Sequence, residues 1–314
     1  VNMKKIYLLL SLAALLFGAC GENDNDFTPS NGERNWLIVE DNPNDPIDHQ
    51  RYLIFQETGI PIYYNDTIGS EERYSYATGD PYTYYEVLQV FYSPGNSTPG
   101  KQSARYVLPA DREKVKPVLD FLETEILPKL SKDIYVPSIL LVDTLVTPTG
   151  DDLAYKGTNT VVLSKVCDFA DMDETTLKTY KGTFLATLVS NTLAEFEEEW
   201  LEENFYALTY SANPNYINKL YSTSTSGSGR VPLYQACAGL AEQSAAILGF
   251  VWLQNNDSSP KYVPTKAQDV LHFCIEIFAY TEAEFMSLHE GENLVLKKYR
   301  VMRNKLEEYG FTFE

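Results

Sequence analysis

Histidine is scarce: a chain of 314 residues holds three, His49, His272 and His289. None lies one helical turn from another, so no two imidazoles can meet on one helix face to hold a zinc ion. Cysteine is nearly as scarce, with four residues and no C-x-x-C. Neither a disulfide framework nor a cysteine zinc site is indicated. Leaving aside Cys20, the odd set Cys167, Cys237 and Cys274 reads as buried thiols, with one disulfide left open. No G-x-S-x-G marks a hydrolase nucleophile, and no G-x-G-x-x-G or phosphate loop is present. Positive charge is also short: 25 Lys and Arg stand against 44 Asp and Glu, a formal net charge of -19. Such a chain cannot neutralise phosphates, which excludes nucleic acid as a partner. It equally excludes docking on anionic lipid through a basic patch.

What is present begins with a targeting segment. Lys4 and Lys5 precede an apolar run from Ile6 to Phe17, followed by Gly18, Ala19 and Cys20. A charged start, a short apolar core and small residues describe a secretory signal, and the run is too short for a comfortable membrane span. Ending on Cys20, residues 1–20 resemble a bacterial lipoprotein signal peptide, with Cys20 as the lipidated residue; an incidental Cys in a plain secretory signal is the alternative. Residues 21–35 form an acidic and polar tether, GENDND and then a Pro/Ser/Asn/Gly linker. The rest, 36–314, is long enough for a sizeable core, with 44% apolar residues. Tyrosine is abundant at 23 residues, which suits core and rim packing or, in some secreted proteins, sugar binding.

Within 36–314 strands concentrate early and helices late, an α+β layout. Residues 47–57 have helical spacing and end at Gly59. Strands are expected at 60–64, 84–92, 138–142 and 160–163, with 104–108 pairing back on 84–92. Residues 66–83 read as a turn-rich polar excursion. A helix is expected from about Lys116, closed by Pro128. Asp173 can cap the segment leading into the longest patterned run, Lys181–Asn204. A second long helix is expected over Tyr234–Leu253. Thr265 with Gln268, and Thr281 with Glu284, read as capping boxes. A last amphipathic helix, 294–309, ends at Gly310.

The run Lys181–Asn204 organises the site. At 100° per residue Leu185, Val189, Leu193, Phe196 and Trp200 form one apolar stripe. Asn191, Glu195, Glu198 and Glu202 fall on another face and define a candidate cleft. An oxygen-rich stripe suits hard cations better than zinc, but one helix face supplies too few ligands by itself. The plainer reading is a solvated acidic face.

Several stretches together resemble the zinc-binding metallopeptidase lipoproteins of Bacteroidota, which have a zincin-like fold. The carriers are TGIPIYYN, FLETEILPKL followed by PSILLVD, the organising helix, AGLAEQSA, and PTKAQDVLHFCIEIFAYTEAEF leading to KKYRVMRNKLEEYGF. The resemblance covers about Ile47 to Phe313. It implies a mixed sheet and organising helix over 36–205 and a helical subdomain over 206–314. Active relatives carry H-E-F-A-H and draw a further acidic ligand from the second long helix. Here the matching positions are Asn191, Thr192, Leu193, Ala194 and Glu195, and Ala238 stands where the acid is expected. The resemblance therefore implies a degenerate member with no catalytic residues and no metal, zinc being the family's cofactor. It would sit on the outer membrane by its lipid anchor, facing the cell exterior, and act by binding a peptide, a glycan or an uptake-system partner. An active zinc peptidase using non-standard ligands and a purely structural or interaction lipoprotein are the two alternatives.

Overall fold

The computed structural model describes residues 34–91, 105–147, 150–254 and 259–313. Cys20, the signal segment and nearly all of the tether lie outside them. Residues from Leu37 onward make one compact unit. No helix among the described residues is long and apolar enough to cross a membrane.

Asp45 opens α1 (Pro46–Thr58), its carboxylate accepting from the backbone N–H of Ile47 and Asp48, each at 3.0 Å. Gly59 ends that helix at φ 72°, a left-handed position where any side chain would be strained. Strand β1 (Ile62–Tyr63) follows as expected. Strands β2 (Thr67–Tyr74) and β3 (Pro81–Val87) pair antiparallel into a projecting arm. The expected excursion over 66–83 is therefore mostly strand. Both faces of the arm are at least partly solvated, so its sequence shows no apolar alternation to read. Strand β4 (Arg105–Val107) pairs with β6 (Thr144–Thr147), not with residues 84–92. Helix α2 (Val115–Phe121) runs on through a π turn, Leu122–Ile126, and a 3-10 turn, Leu127–Lys129, that contains Pro128.

Four short strands form the central sheet. Its order is β1, then β5 (Ile139–Leu141), then β9 (Val161–Leu163), then β8 (Ala154–Lys156) at the edge. The first three are parallel and β8 is antiparallel to β9. A separate three-stranded sheet joins β4, β6 and β7 (Gly150–Asp151). In the central sheet Ile62, Ile139 and Val161 share a register line and face the helices, while Tyr63, Leu140 and Val162 face a smaller apolar layer with Leu88, Val90 and Leu145. Burial on both faces explains the unbroken apolar runs SILLV and TVVL.

Helix α3 (Glu174–Phe196) starts where expected, with the Asp173 carboxylate accepting from Thr176 N–H at 2.8 Å. It does not continue to Asn204. Glu197 leaves the helical region at φ -117°, ψ 26°. A short helix α4 (Glu198–Trp200) then passes into a π turn, Leu201–Tyr206, and α5 (Ala207–Ala212). The break and the π turn both shift the helical register. Phe196, expected in the apolar stripe, is the last residue of α3 and is 76% exposed. The second long helix is also absent. Only α6 (Leu233–Ala236) and a 3-10 turn, Ala246–Leu248, form there. Cys237 caps the first piece and Gly249, at φ 79°, the second, while Gly239 between them is also left-handed at φ 80°.

Helix α7 (Lys266–Ala279) begins with the Thr265–Gln268 capping box and α8 (Glu282–Leu288) with the Thr281–Glu284 one. Helix α9 (Asn293–Glu308) closes the fold, with Gly310 at φ 81°. Helices α3 and α7 cross at Gly182, where a Cβ would run into the Ile275 carbonyl oxygen and lie 3.0 Å from Ala279 Cβ. The architecture is α+β, a mixed sheet carrying a predominantly helical second half.

One buried ion pair ties that half together. Lys298 of α9 is 0% exposed and its Nζ lies 2.5 Å from Asp269 Oδ2 of α7. Thr209 Oγ1 of α5 accepts from the same ammonium at 3.1 Å, and Tyr221 donates its hydroxyl to Asp269 at 2.7 Å. The ammonium also faces the rings of Phe205, Phe273 and Phe250 at 4.2, 4.9 and 5.1 Å.

Candidate edge-strand groove

The organising helix and the edge strand meet at a groove of about 450 Å³. Leu188 and Thr192, one turn apart on α3, form one wall; Lys156, Val161 and the β8–β9 turn form the other. Tyr135 and Tyr309 lie at its margins. The turn is rigidly held. A Cβ on Gly157 would lie 2.5 Å from the Val90 carbonyl oxygen, so only glycine lets residues 88–91 approach. Asn159 accepts from Gln89 N–H at 2.8 Å, and Ser138 donates to the Asn159 carbonyl at 2.8 Å.

Among the described residues strand β8 has no strand on its outer side. Gly157 N–H donates to Thr160 and Ser164 N–H to Leu153, each at 2.8 Å. Antiparallel pairs alternate, so the intervening Tyr155–Val162 pair is the bonded one. The N–H and C=O groups of Ala154 and Lys156 consequently turn away from β9. Lys156 and Val161 share a register line, which points the Lys156 side chain to the α3 side of the sheet.

At the far end of α3 the helix break is pinned from α9. Glu197 accepts from Lys305 Nζ and Tyr309 hydroxyl, each at 3.0 Å. The Lys305 hydrogen bond holds the Glu197 carboxyl below its usual range. Burial, and then the Glu197 carboxylate, raise the Tyr309 hydroxyl. Lys305 is lowered by burial, but its bonds to Glu197 and Glu308 outweigh this and the net direction is up.

Of the positions singled out by sequence, Thr192 lines the groove. Asn191 and Glu195 are solvent-exposed and do not line it. Glu198 is exposed beyond the break, and Glu202 pairs with Lys266 and accepts from Tyr210 at 3.0 Å. The expected stripe Asn191, Glu195, Glu198 and Glu202 is thus split between two helical pieces, because Glu197 and the π turn change the helical phase. Ala238 lies in a turn, not on a helix, and its carbonyl accepts from Asn213 Nδ2 at 3.1 Å. Among the described residues no group of three or more His, Cys, Asp or Glu side chains is arranged to hold a metal ion.

The histidines have other partners. His49 Nδ1 lies 2.7 Å from Asp41. His272 packs on Trp252 at 5.0 Å between ring centroids, and burial followed by the Lys298 charge holds it down to about 4. His289 bridges Glu276 at 2.7 Å and Glu292 at 2.6 Å. Burial lowers its pKa, but the two carboxylates outweigh that and the net direction is up. Cys167, Cys237 and Cys274 are free thiols; Cys237 and Cys274 are buried as expected, while Cys167 is half-buried. Sequence reasoning missed Glu197, Lys305 and Lys156. Glu197 lies inside the acidic run EFEEEW, where nothing local separates it from its neighbours.

Compared with known proteins, the chain matches no family model, no curated protein and no solved structure.

Proposed function

We propose that this chain is a non-catalytic binding protein on a zincin-like scaffold, lipidated at Cys20 and held on the outer face of the outer membrane, whose groove takes an extended peptide. What supports the scaffold reading is order: a mixed sheet with an antiparallel edge strand, then the long helix α3, then a helical half. What supports the peptide is the outer edge of β8, which no described strand covers. An added strand would satisfy the outward N–H and C=O groups of Ala154 and Lys156 and lay alternate side chains toward Leu188 and Thr192. What supports a binding role over hydrolysis is the chemistry of the wall. On the α3 wall Thr192 and Leu188 supply no general base, Asn191 and Glu195 stand outside the groove, and Asp133, the one carboxylate in the lining, has no His, Cys or second acid beside it there.

The test is a peptide array probed with the intact soluble domain, repeated with Lys156→Pro. That change removes an outward donor without touching the β8–β9 ladder. Peptide capture lost on Lys156→Pro, with an unchanged circular dichroism spectrum, is the expected result. Capture unaffected by it refutes the edge-strand site. Stoichiometric zinc in protein purified without added metal, with chelator-sensitive peptide hydrolysis, refutes the non-catalytic reading.

A glycan is the second reading, carried by the β2–β3 arm. Tyr74, Tyr76, Tyr82 and Tyr85 are all exposed there, and flat aromatic faces suit stacking on sugar rings. A glycan array decides between the two: binding lost on Tyr74→Ala with Tyr85→Ala favours the arm.

A further inference from the structure

A second cavity, of about 530 Å³ and independent of the edge-strand groove, opens between the start of α3, the 3-10 turn after α2, and the end of α7. It concentrates cations in a chain that is short of them: Lys129, Lys178 and Lys181 all line it. Its carboxylates are already committed. Glu284 is 2.8 Å from Lys178, and Glu282 pairs with Arg303. Lys178 is answered a second time by Glu174 at 3.0 Å.

Lys181 is different. It is half-buried, and no described carboxylate lies within ion-pair distance of it. Burial depresses its ammonium first, and the charge of Lys129 adds to that; Glu125 opposes and Lys178 contributes further lowering. Among the described residues Lys129 itself has only Glu125 as an ion-pair partner, at 3.8 Å. Both ammonium groups line one cavity and each disfavours the charge on the other, with Glu125 as a partial offset, so an added anion at the pair is favoured. The opposite wall is aromatic. Phe278 packs on Phe311 and Phe313 at 4.8 and 5.6 Å between centroids, and Leu185 completes it.

We propose that this cavity is a binding site for a small aryl carboxylate, whose carboxylate bridges Lys129 and Lys181 and whose ring lies against Phe278, Phe311 and Leu185. The chemistry requires both parts. An inorganic anion would make no use of the apolar lining, and a neutral arene would leave the lysine pair with Glu125 as its one described counter-charge. A divalent cation is repelled outright.

The test is isothermal titration calorimetry of the intact soluble domain at neutral pH and low salt, with phenylacetate as probe. Saturable binding with a Kd of about 1 mM or tighter is expected for so small a ligand. Phenylacetamide, which keeps the ring and loses the charge, and acetate, which keeps the charge and loses the ring, should each bind about tenfold more weakly or worse. Lys181→Met should weaken phenylacetate by about tenfold or more, while Lys181→Arg retains it. Lys129→Met, at a less buried position, serves as the second variant if Lys181→Met does not fold. No saturable phenylacetate binding overturns the proposal. So does binding that neither Lys→Met variant weakens, or that phenylacetamide matches.

Discussion

Removing the Lys298 ammonium is the sharpest probe of how the helical half is held. Lys298→Met keeps most of the side-chain volume and the contacts with Phe205, Phe250 and Phe273. It leaves Asp269, 1% exposed, with only the Tyr221 hydroxyl as an uncharged partner. Stranding one member of a buried pair costs about 3–5 kcal/mol. For a domain of this size that lowers the midpoint by roughly 6–20 °C, taking about 2–4 °C per kcal/mol. The pair itself is expected to be nearly dispensable. Lys298→Met combined with Asp269→Asn removes both charges, keeps an acceptor for Tyr221, and should recover most of the loss. The pH dependence follows with a definite sign. Burial raises the Asp269 pKa above its ordinary 3.8 even with the ammonium present, and the ammonium lowers it. In the variant that lowering is gone. A group whose folded pKa is raised contributes its stability in full below the unfolded pKa and loses it as pH rises through the folded value. The deficit of Lys298→Met should therefore grow from pH 4 toward pH 8. Urea unfolding of the wild type, both single variants and the double variant measures this. A single-variant cost below about 1 kcal/mol, or a double variant equal to the sum of the singles, refutes the reasoning.

Three further outcomes are expected. Gly182→Ala adds a methyl group where α3 and α7 touch, and should destabilise by about 1–3 kcal/mol despite alanine's better helix propensity, as read by thermal unfolding. The net rise of the His289 pKa above 6.5 contributes stability that is fully present below that value and fades as pH rises through the folded pKa. His289→Gln should therefore narrow the difference in unfolding midpoint between pH 5.5 and 8.5. Helix α3 is intact through Phe196, so Asn191→His with Glu195→His puts two imidazoles one turn apart. That variant should take up zinc in a competition titration that leaves the unaltered protein metal-free, and no uptake would mean that the helical frame is not preserved there.

Local chemistry was legible wherever a segment decides its own conformation. The Asp173 cap, both capping boxes, the left-handed Gly59 and the buried strands within SILLV and TVVL depend on neighbours within a few residues. So did the α+β class, because the switch from β-rich runs to helical periodicity is written along the chain. The ends of the long helices were not. The spacing from Leu185 to Trp200 is helical throughout, yet Glu197 is drawn out of the helix by Lys305 and Tyr309, more than a hundred residues further on. The stretch 234–253 is rich in helix-forming alanine, yet Gly239 and Gly249 adopt left-handed backbone and no long helix forms. The polar arm of β2 and β3 shows no alternation because neither face is buried. Only the folded chain could bring Lys156 beside Thr192, or set Lys129 against Lys181. Such meetings depend on how distant segments pack, and periodicity along one segment carries no record of its partner.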